Sequence, residues 1–335
     1  MKNNLLDVPG VSVGHASDIE HGTGCTVVIF EKPAVAGVNV CGFATGTREV
    51  DVCSPHHNTP GINALCFSGG SAYGLAAADG VMKYCEEKGI GYFARVALVP
   101  IVPAAIVFDL SFKTSVVRPD LEMGYQACLN ARKDEMEQGS VGAGTGVSVG
   151  KLFGIKGAVK SGVGSASIVF NDGLAVAAIC VVNNLGDVLD YRTGQILAGC
   201  RDPVTNQFID STRRFAGMNK QPEQNVAEST NLALIVTNAK LDKNDAGKLA
   251  RMGEAGFART LSPLHSTFDG DIIFAASAGE IPAELNRLGI LAAEILARAV
   301  NNAVIYADGL GVIPALKDLN PELVASRKQS GKGKD

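Results

Sequence analysis

The sequence predicts a single domain of layered α+β architecture, and three observations predict it. Short apolar runs bounded by Gly, Asp, Asn or Pro recur along the 335 residues, two segments carry apolar side chains at helical spacing, and the two kinds do not alternate in the regular βαβ order of a doubly wound parallel sheet. No internal repeat and no long Pro/Ser-rich linker divides the chain, which is long enough to bury a sizeable core.

The strand-like runs are Cys25 to Phe30, Val35 to Val40, Ala64 to Phe67, Leu174 to Val182, Leu232 to Val236 and Asp271 to Ala275. A first helix is expected from Ser71, with Leu75, Ala78, Met82 and Cys85 on one face, Ser71 as its N-cap and Gly89 as its stop. A second runs from about Ala283 to Val304, where Leu288, Leu291, Ala292, Ile295 and Ala299 make an apolar stripe suited to a core or a subunit interface. From Leu189 to Glu228 the chain is rich in Gly, Arg, Asp, Asn and Gln with little apolar periodicity, and reads as an exposed excursion leading to the Ser229-Thr230 bond. Residues 321–335, which end Arg327-Lys-Gln-Ser-Gly-Lys-Gly-Lys-Asp335, read as a flexible tail.

Charge and cysteine usage exclude several classes of function. The 30 basic and 34 acidic residues give a net charge of -4, which offers no polyanion-binding surface, so nucleic acid is not an expected partner. The 8 cysteines show no C-x-x-C spacing and several lie in apolar runs, as reduced, buried small hydrophobes do. The first ten residues lack the h-region of a secretory signal, and the apolar run from Val96 to Phe108 is interrupted by Pro100 and Pro103; a cytoplasmic location without a membrane partner is expected. His56-His57 and Asp51 are the nearest approach to a ligand set, but adjacent histidines point in different directions, so no metal or other cofactor is expected.

Several motifs carry candidate chemistry. Gly142-Ala-Gly-Thr-Gly-Val-Ser-Val-Gly-Lys151 is glycine-dense, yet Thr145 stands where a phosphate loop needs glycine and Leu152 where it needs Ser or Thr. What remains is a tight turn presenting the ammonium of Lys151. In Phe67-Ser-Gly-Gly-Ser-Ala-Tyr-Gly74 a strand enters a Gly-Ser turn and a helix leaves it, but Tyr73 breaks the G-x-S-x-G pattern of a nucleophile elbow. The backbone N–H groups at that helix start, from Ser68, Gly69, Gly70 and Ser71, are candidates to hold a carboxylate or carbonyl oxygen of a substrate. Asn183 ends an apolar strand with an amide donor, and Asp269 and Asp271 flank a glycine at a strand entrance, where they are a turn or a pair that orients an amine. Ser229-Thr230 directly precedes a strongly apolar run. Cleavage there would give Thr230 both a hydroxyl nucleophile and, on the same residue, an α-amine with a pKa of about 8 that acts as base.

Taken together, in order, these segments resemble the DmpA/NylC-type family of β-peptidyl and D-amino-acid aminopeptidases and nylon-oligomer hydrolases. The resemblance runs from Asp7-Val-Pro-Gly-Val-Ser-Val-Gly-His15 through Gly46-Thr-Arg-Glu49, Ser68-Gly-Gly-Ser-Ala-Tyr-Gly-Leu75, Val99-Pro-Ile-Val-Pro-Ala-Ala105 and Val141-Gly-Ala-Gly-Thr-Gly146 to Val236-Thr-Asn-Ala239 and Asp269-Gly-Asp271. It implies a four-layer αββα sandwich of the DmpA/ornithine-acetyltransferase type, and a precursor that cleaves itself into an α chain (1–229) and a β chain (230–335). By the same resemblance Thr230 is the nucleophile, Lys151 activates it, Asn183 helps form the oxyanion hole, and Asp269 and Asp271 hold threonine and lysine in place. It further implies a small peptide or oligoamide substrate and a homotetramer of processed protomers. Three positions depart from the family's usual pattern: Ser229 replaces Asn or Gly before the nucleophile, Asn231 follows it, and Phe108 stands where a pocket tyrosine is common. Two other functions share such a scaffold, an acyltransferase of the ornithine-acetyltransferase type and an unprocessed small-molecule-binding protein.

Overall fold

In the computed structural model, which describes residues 2–202, 204–218 and 229–330, the framework runs β1 (Val11–Asp18), β2 (Thr23–Val40), β3 (Ile62–Ser68), α1 (Ala77–Glu87), β4 (Ala104–Ile106), α2 (Leu121–Leu129), β5 (Val163–Val169), β6 (Ala175–Val181), β7 (Leu232–Ala239), α3 (Lys243–Thr260), β8 (Ile272–Ile281) and α4 (Leu285–Ile305). One layer is β5-β6-β7-β8, with β7 and β8 parallel across the α3 crossover and the other pairs antiparallel. The second is built on β1, β2, β3 and β4.

The long strand β2 belongs to both layers. Its residues Cys25–Ile29 pair with β3 and Val35–Val40 with β8, and the register breaks between Ile29 and Ala34, where Pro33 has no N–H to give a ladder. The two runs expected as separate strands are therefore one strand that changes sheets.

Packing accounts for the continuous apolar character of β6, β7 and β8. Ala175, Ala177, Ile179, Leu232, Leu234, Val236, Ile272 and Phe274 face the second sheet and meet Val28, Phe30, Leu65 and Phe67; the Phe67 and Phe274 ring centroids lie 6.2 Å apart. Alternate residues Val176, Ala178, Cys180, Ala233, Ile235 and Ile273 face α3 and α4, against Leu249, Phe257, Leu288 and Ile295. On the other outer face, Cys25, Val27, Ala64 and Cys66 pack on Ala77, Val81 and Cys85 of α1 and Ala127 of α2. Strands covered on both faces lose the period-2 alternation of a half-exposed sheet. The order of layers is helices, sheet, sheet, helices: the expected αββα sandwich.

Three local expectations need correction. Ser71 is not an N-cap: Ser71–Ala76 is a 3-10 turn that enters α1, Gly70 occupies the cap without a side-chain bond, and Ser71 itself has a positive φ of 54°. The excursion after Leu189 is not exposed throughout, since Asp190, Leu197, Ala198, Cys200, Arg201 and Ser211 are buried and Ser211–Ala216 is helical; residues 219–228 lie outside the described residues. Pro321–Ser330 is a helix, not tail, with Val324 buried; residues 331–335 lie outside the description. The stripe of α4 faces the intramolecular core, the first of its two expected roles. Although α4 has the length and composition of a membrane span, 72% of its apolar window is buried inside the fold.

Candidate active site

The backbone around Thr230 is held from both sides before any side chain is considered. Residues 229–231 extend the parallel β7–β8 pairing: Ser229 N donates to Phe268 O (3.2 Å), Gly270 N to Ser229 O (2.8 Å) and Ile272 N to Asn231 O (3.1 Å). On the opposite side Thr230 N donates to Asn183 O (3.0 Å), just beyond the end of β6. Sheet order thus places Thr230 between Asn183 and the Asp269–Asp271 segment, although these are far apart in sequence. Gly270 must lack a side chain here, because a Cβ would come within 2.5 Å of Ala44 O and 2.9 Å of Thr230 Oγ1.

Lys151 enters from a 3-10 turn that follows Gly150, whose φ is +75°. Gly150 N and Lys151 N donate to Gly186 O (2.7 Å) and Leu185 O (2.8 Å), which fixes the turn against the segment that carries Asn183. A Cβ on Gly150 would fall 2.0 Å from Gly199 C, so the glycine serves close approach of two backbones and not a phosphate. The Lys151 Nζ donates to Asn183 Oδ1 at 2.9 Å and reaches Asn183 O at 3.5 Å. It is 1% exposed. Burial drives its pKa from 10.5 to about 7, against the opposing pull of Asp269, Asp109 and Asp271. A large fraction of the group is therefore a neutral amine near neutral pH, able to accept a proton.

Asn183 links the parts. Its Oδ1 also accepts Ser148 N (3.3 Å), its Nδ2 donates to Phe108 O (2.8 Å), and its N donates to Asn231 Oδ1 (3.1 Å). Asn231 is bonded at every polar group: its N and Nδ2 both donate to Asp271 Oδ1 at 2.8 Å, and Nδ2 also approaches Asn184 Oδ1 at 3.2 Å. Asp271 Oδ2 accepts His265 Nδ1 (2.9 Å), and His265 Nε2 meets Glu254 Oε1 at 3.1 Å. Asp271 thus holds Asn231, the residue that follows Thr230. Asp269 Oδ2 accepts Ser266 N (2.6 Å), while its buried Oδ1 has no hydrogen-bond partner among the described residues. Burial first, then repulsion from Asp271, raises the Asp269 carboxyl from 3.8 to about 6.

The turn at 68–71 is brought to the same region but is not a free anion site. Gly69 N donates to Gly24 O (2.9 Å), Ser71 N to Val107 O (3.0 Å), and Gly70 N to Asp109 Oδ1 (2.7 Å). The protein supplies its own carboxylate there. Asp109 Oδ2 also accepts Thr23 Oγ1 (2.7 Å), and burial lifts this carboxyl to about 6. Ser68, Gly69 and Gly70 are buried, and only Ser71 and Phe108 of the five expected substrate contacts are half-buried. Sequence reasoning missed Asp109, Asn184, Glu254 and His265. The Asn183-Asn184 pair and the Asp after Phe108 were visible signals; nothing in the sequence distinguishes His265 from the other histidines.

A family model described as Peptidase family S58 matches residues 3–313. The chain belongs to this family. It stands among amide-bond hydrolases, and the resemblance to the DmpA/NylC group is a relationship. Over 356 aligned residues it is 33% identical to an uncharacterized aminopeptidase of Mycobacterium leprae, covering 95% of this chain and 94% of that relative. It is 30% identical to a 6-aminohexanoate-oligomer endohydrolase of Kocuria sp. over 315 residues, covering 89% and 85%. Among solved structures, the Burkholderia sp. beta-aminopeptidase superposes with a TM-score of 0.71 at 19% identity, covering 100% of this chain and 96% of that one. The Ochrobactrum anthropi L-aminopeptidase D-Ala-esterase/amidase, described as a variant of the Ntn hydrolase fold, gives 0.70 at 18%, covering 98% and 94%. At those identities the structures show a shared fold and nothing further.

Proposed function

We propose that this S58 peptidase is a self-processing hydrolase whose nucleophile is Thr230, acting as an aminopeptidase or oligoamide hydrolase. The observation that carries the reading is the placement of Thr230 between Asn183 and Asp269–Asp271, with Asn183 also bonded to a lysine that burial makes a base. For self-cleavage the Lys151 amine takes the Thr230 hydroxyl proton and Oγ1 attacks the Ser229 carbonyl carbon. Negative charge then develops on Ser229 O, which already accepts the Gly270 N–H. Collapse breaks the C–N bond, the proton passes to the Thr230 nitrogen, and water hydrolyses the ester to leave the Ser229 carboxylate and the Thr230 α-amine.

Turnover repeats the chemistry on a substrate amide. Oγ1 attacks the carbonyl, the α-amine or Lys151 accepts the proton, the leaving amine receives it, and water releases the acid from the acyl-enzyme. Asn183 Nδ2 carries two hydrogens and directs one to Phe108 O, leaving the other for the oxyanion. The names of the curated relatives support a hydrolytic outcome over acyl transfer. The proposal includes a cytoplasmic homotetramer of processed protomers, for which light scattering and fractionation are the tests.

The deciding experiment is the intact mass and N-terminal sequence of the wild-type protein beside Thr230→Ala. Division of 34.7 kDa before residue 230 gives fragments of about 24 and about 11 kDa, expected in the wild type and absent from the variant. An uncleaved wild-type chain, or a new N-terminus elsewhere, would retire the assignment.

A further inference from the structure

Behind Asp271, on the side away from Asn231, three side chains converge that the proposed chemistry does not use. Cys41 follows the end of β2, Glu254 lies on α3 and His265 in the loop before β8. Their ligand atoms all lie within 4.8 Å of one another. We propose that Cys41 Sγ, a Glu254 carboxylate oxygen and His265 Nε2 form a binding site for one zinc ion.

The chemistry of the set favours zinc over a hard cation. A thiolate, an imidazole and one carboxylate are ligands for zinc, whereas magnesium and calcium take oxygen alone. A tetrahedral zinc with bonds of about 2.0–2.3 Å needs ligand atoms on the order of 3.5 Å apart, so closure requires about an ångström of side-chain adjustment. His265 Nε2 and Glu254 Oε1 are already 3.1 Å apart, and the Asn39 amide nitrogen spans the other pair, 2.7 Å from Glu254 Oε2 and 3.1 Å from Cys41 Sγ.

The histidine is also oriented as metal-bound histidines are. Its Nδ1–H donates to the Asp271 carboxylate, so Nε2 offers its lone pair to the ion once the proton it shares with Glu254 has left. The carbonyl of Asp271 accepts the N–H of Cys41 at 3.0 Å, so the thiol and the carboxylate that orients His265 are held by one backbone contact. The His265 and Glu254 side chains are 22% and 34% exposed, which gives the ion a route in and leaves its fourth position to water. Binding releases to solvent both the thiol proton and the proton shared between His265 Nε2 and Glu254 Oε1, and replaces the His265–Glu254 contact. The ion would tie the end of β2, α3 and the loop before β8 into one clip beside Asp271.

This inference does not depend on Thr230 being the nucleophile, and it is tested in the intact Thr230→Ala chain as well as in the wild type. Metal-free, tag-free protein is titrated with zinc chloride by calorimetry, and with cobalt(II) under the spectrometer. Expected are a stoichiometry of one, a near-ultraviolet thiolate-to-cobalt band, a Tm that rises with zinc, and affinity weakened by at least about tenfold in Cys41→Ser and in Glu254→Gln. The band is expected to vanish in Cys41→Ser. Absence of stoichiometric binding, absence of the thiolate band in the wild type, or equal zinc affinity in Cys41→Ser would overturn the proposal; the wild-type spectrum decides even where a variant folds poorly.

Discussion

Replacing Lys151 with methionine separates its role as a base from the cost of burying it. In the folded chain its pKa is about 7 against 10.5 in water. At 1.36 kcal/mol per pH unit that gap amounts to about 5 kcal/mol in favour of the neutral amine. The folded value lies below the unfolded one, so between these two pH values the unfolded chain binds the proton more readily and the lysine's contribution to stability rises with pH. Below about 7 both states are protonated and the full penalty is present. Methionine removes that penalty and also the bond to Asn183, worth about 1–3 kcal/mol when a charged partner is lost. In a Thr230→Ala background, which keeps every chain intact, adding Lys151→Met is therefore expected to raise stability at pH 6 by about 2–4 kcal/mol. The gain should shrink as pH rises above 7 and change sign between about pH 8 and 10, where the lost bond to Asn183 outweighs what remains of the penalty. Lys160 is pushed to about 7 by the same burial and titrates in both proteins, so the difference between the two isolates Lys151. With Thr230 intact, Lys151→Met should slow self-cleavage by about 10²–10⁴-fold, and wild-type cleavage should accelerate as pH rises through about 7. Denaturant unfolding across pH and a time course by intact mass are the assays. Cleavage at the wild-type rate in Lys151→Met, or a pH-independent stability difference, would refute the argument.

Other substitutions probe the remaining contacts. Gly270→Ala should block cleavage and lower Tm, because its Cβ would press on Ala44 O and on the Thr230 hydroxyl; efficient cleavage by this variant would show that the segment relaxes freely. Asn183→Ala, which removes the Nδ2 donor assigned to the substrate oxyanion, should slow amide hydrolysis by the processed enzyme about 10²–10³-fold, as loss of one oxyanion donor does, read by the rate of product release. Asp109→Ala leaves the Gly70 amide and the Thr23 hydroxyl without their acceptor and should cost about 1–3 kcal/mol for each group left unsatisfied. Chemical denaturation checks it, and an unchanged midpoint would mean that the turn at 68–71 does not depend on that carboxylate.

The parts of the site that were legible in the sequence are those carried by a single residue type in an unusual place. Lys151 ends a glycine-dense turn, Thr230 stands before an apolar run, and the Asp269 and Asp271 carboxylates flank a glycine. What holds them was not legible, because it depends on sheet order: nothing near Asn183 in sequence shows that its carbonyl accepts the Thr230 N–H, and His265 reaches Asp271 only through a loop turned by its own positive φ of 55°. The turn at 68–71 misled for a related reason. Its glycines and serines imply free N–H groups, but Asp109, distant in sequence, fills the site with the protein's own charge. In the fold, β2 was divided in two because Pro33 reads as a strand end, whereas at a change of sheets it is where a strand can do without a donor.

The bonds around Thr230 divide into those that cleavage would release and those that it would keep. The Ser229 contacts with Phe268 O and Gly270 N belong to the α-chain end and can be given up as it leaves. The contacts of Asn231 with Asp271 and Ile272 lie on the β-chain side and survive, as does the bond from the Thr230 nitrogen to Asn183 O. In the proposed reaction this nitrogen changes from an amide with one hydrogen to an ammonium with three, in a buried site that needs acceptors for them. Asp269 Oδ1, buried and without a partner among the described residues, is the acceptor that the proposed reaction assigns to the new ammonium. A carboxylate that gains an ammonium must lose its raised pKa, so Asp269 should titrate well below about 6 once the chain is cut. Carboxyl-carbon NMR of processed wild type against Thr230→Ala reads that difference, and identical titration curves would show that the new N-terminus is held elsewhere.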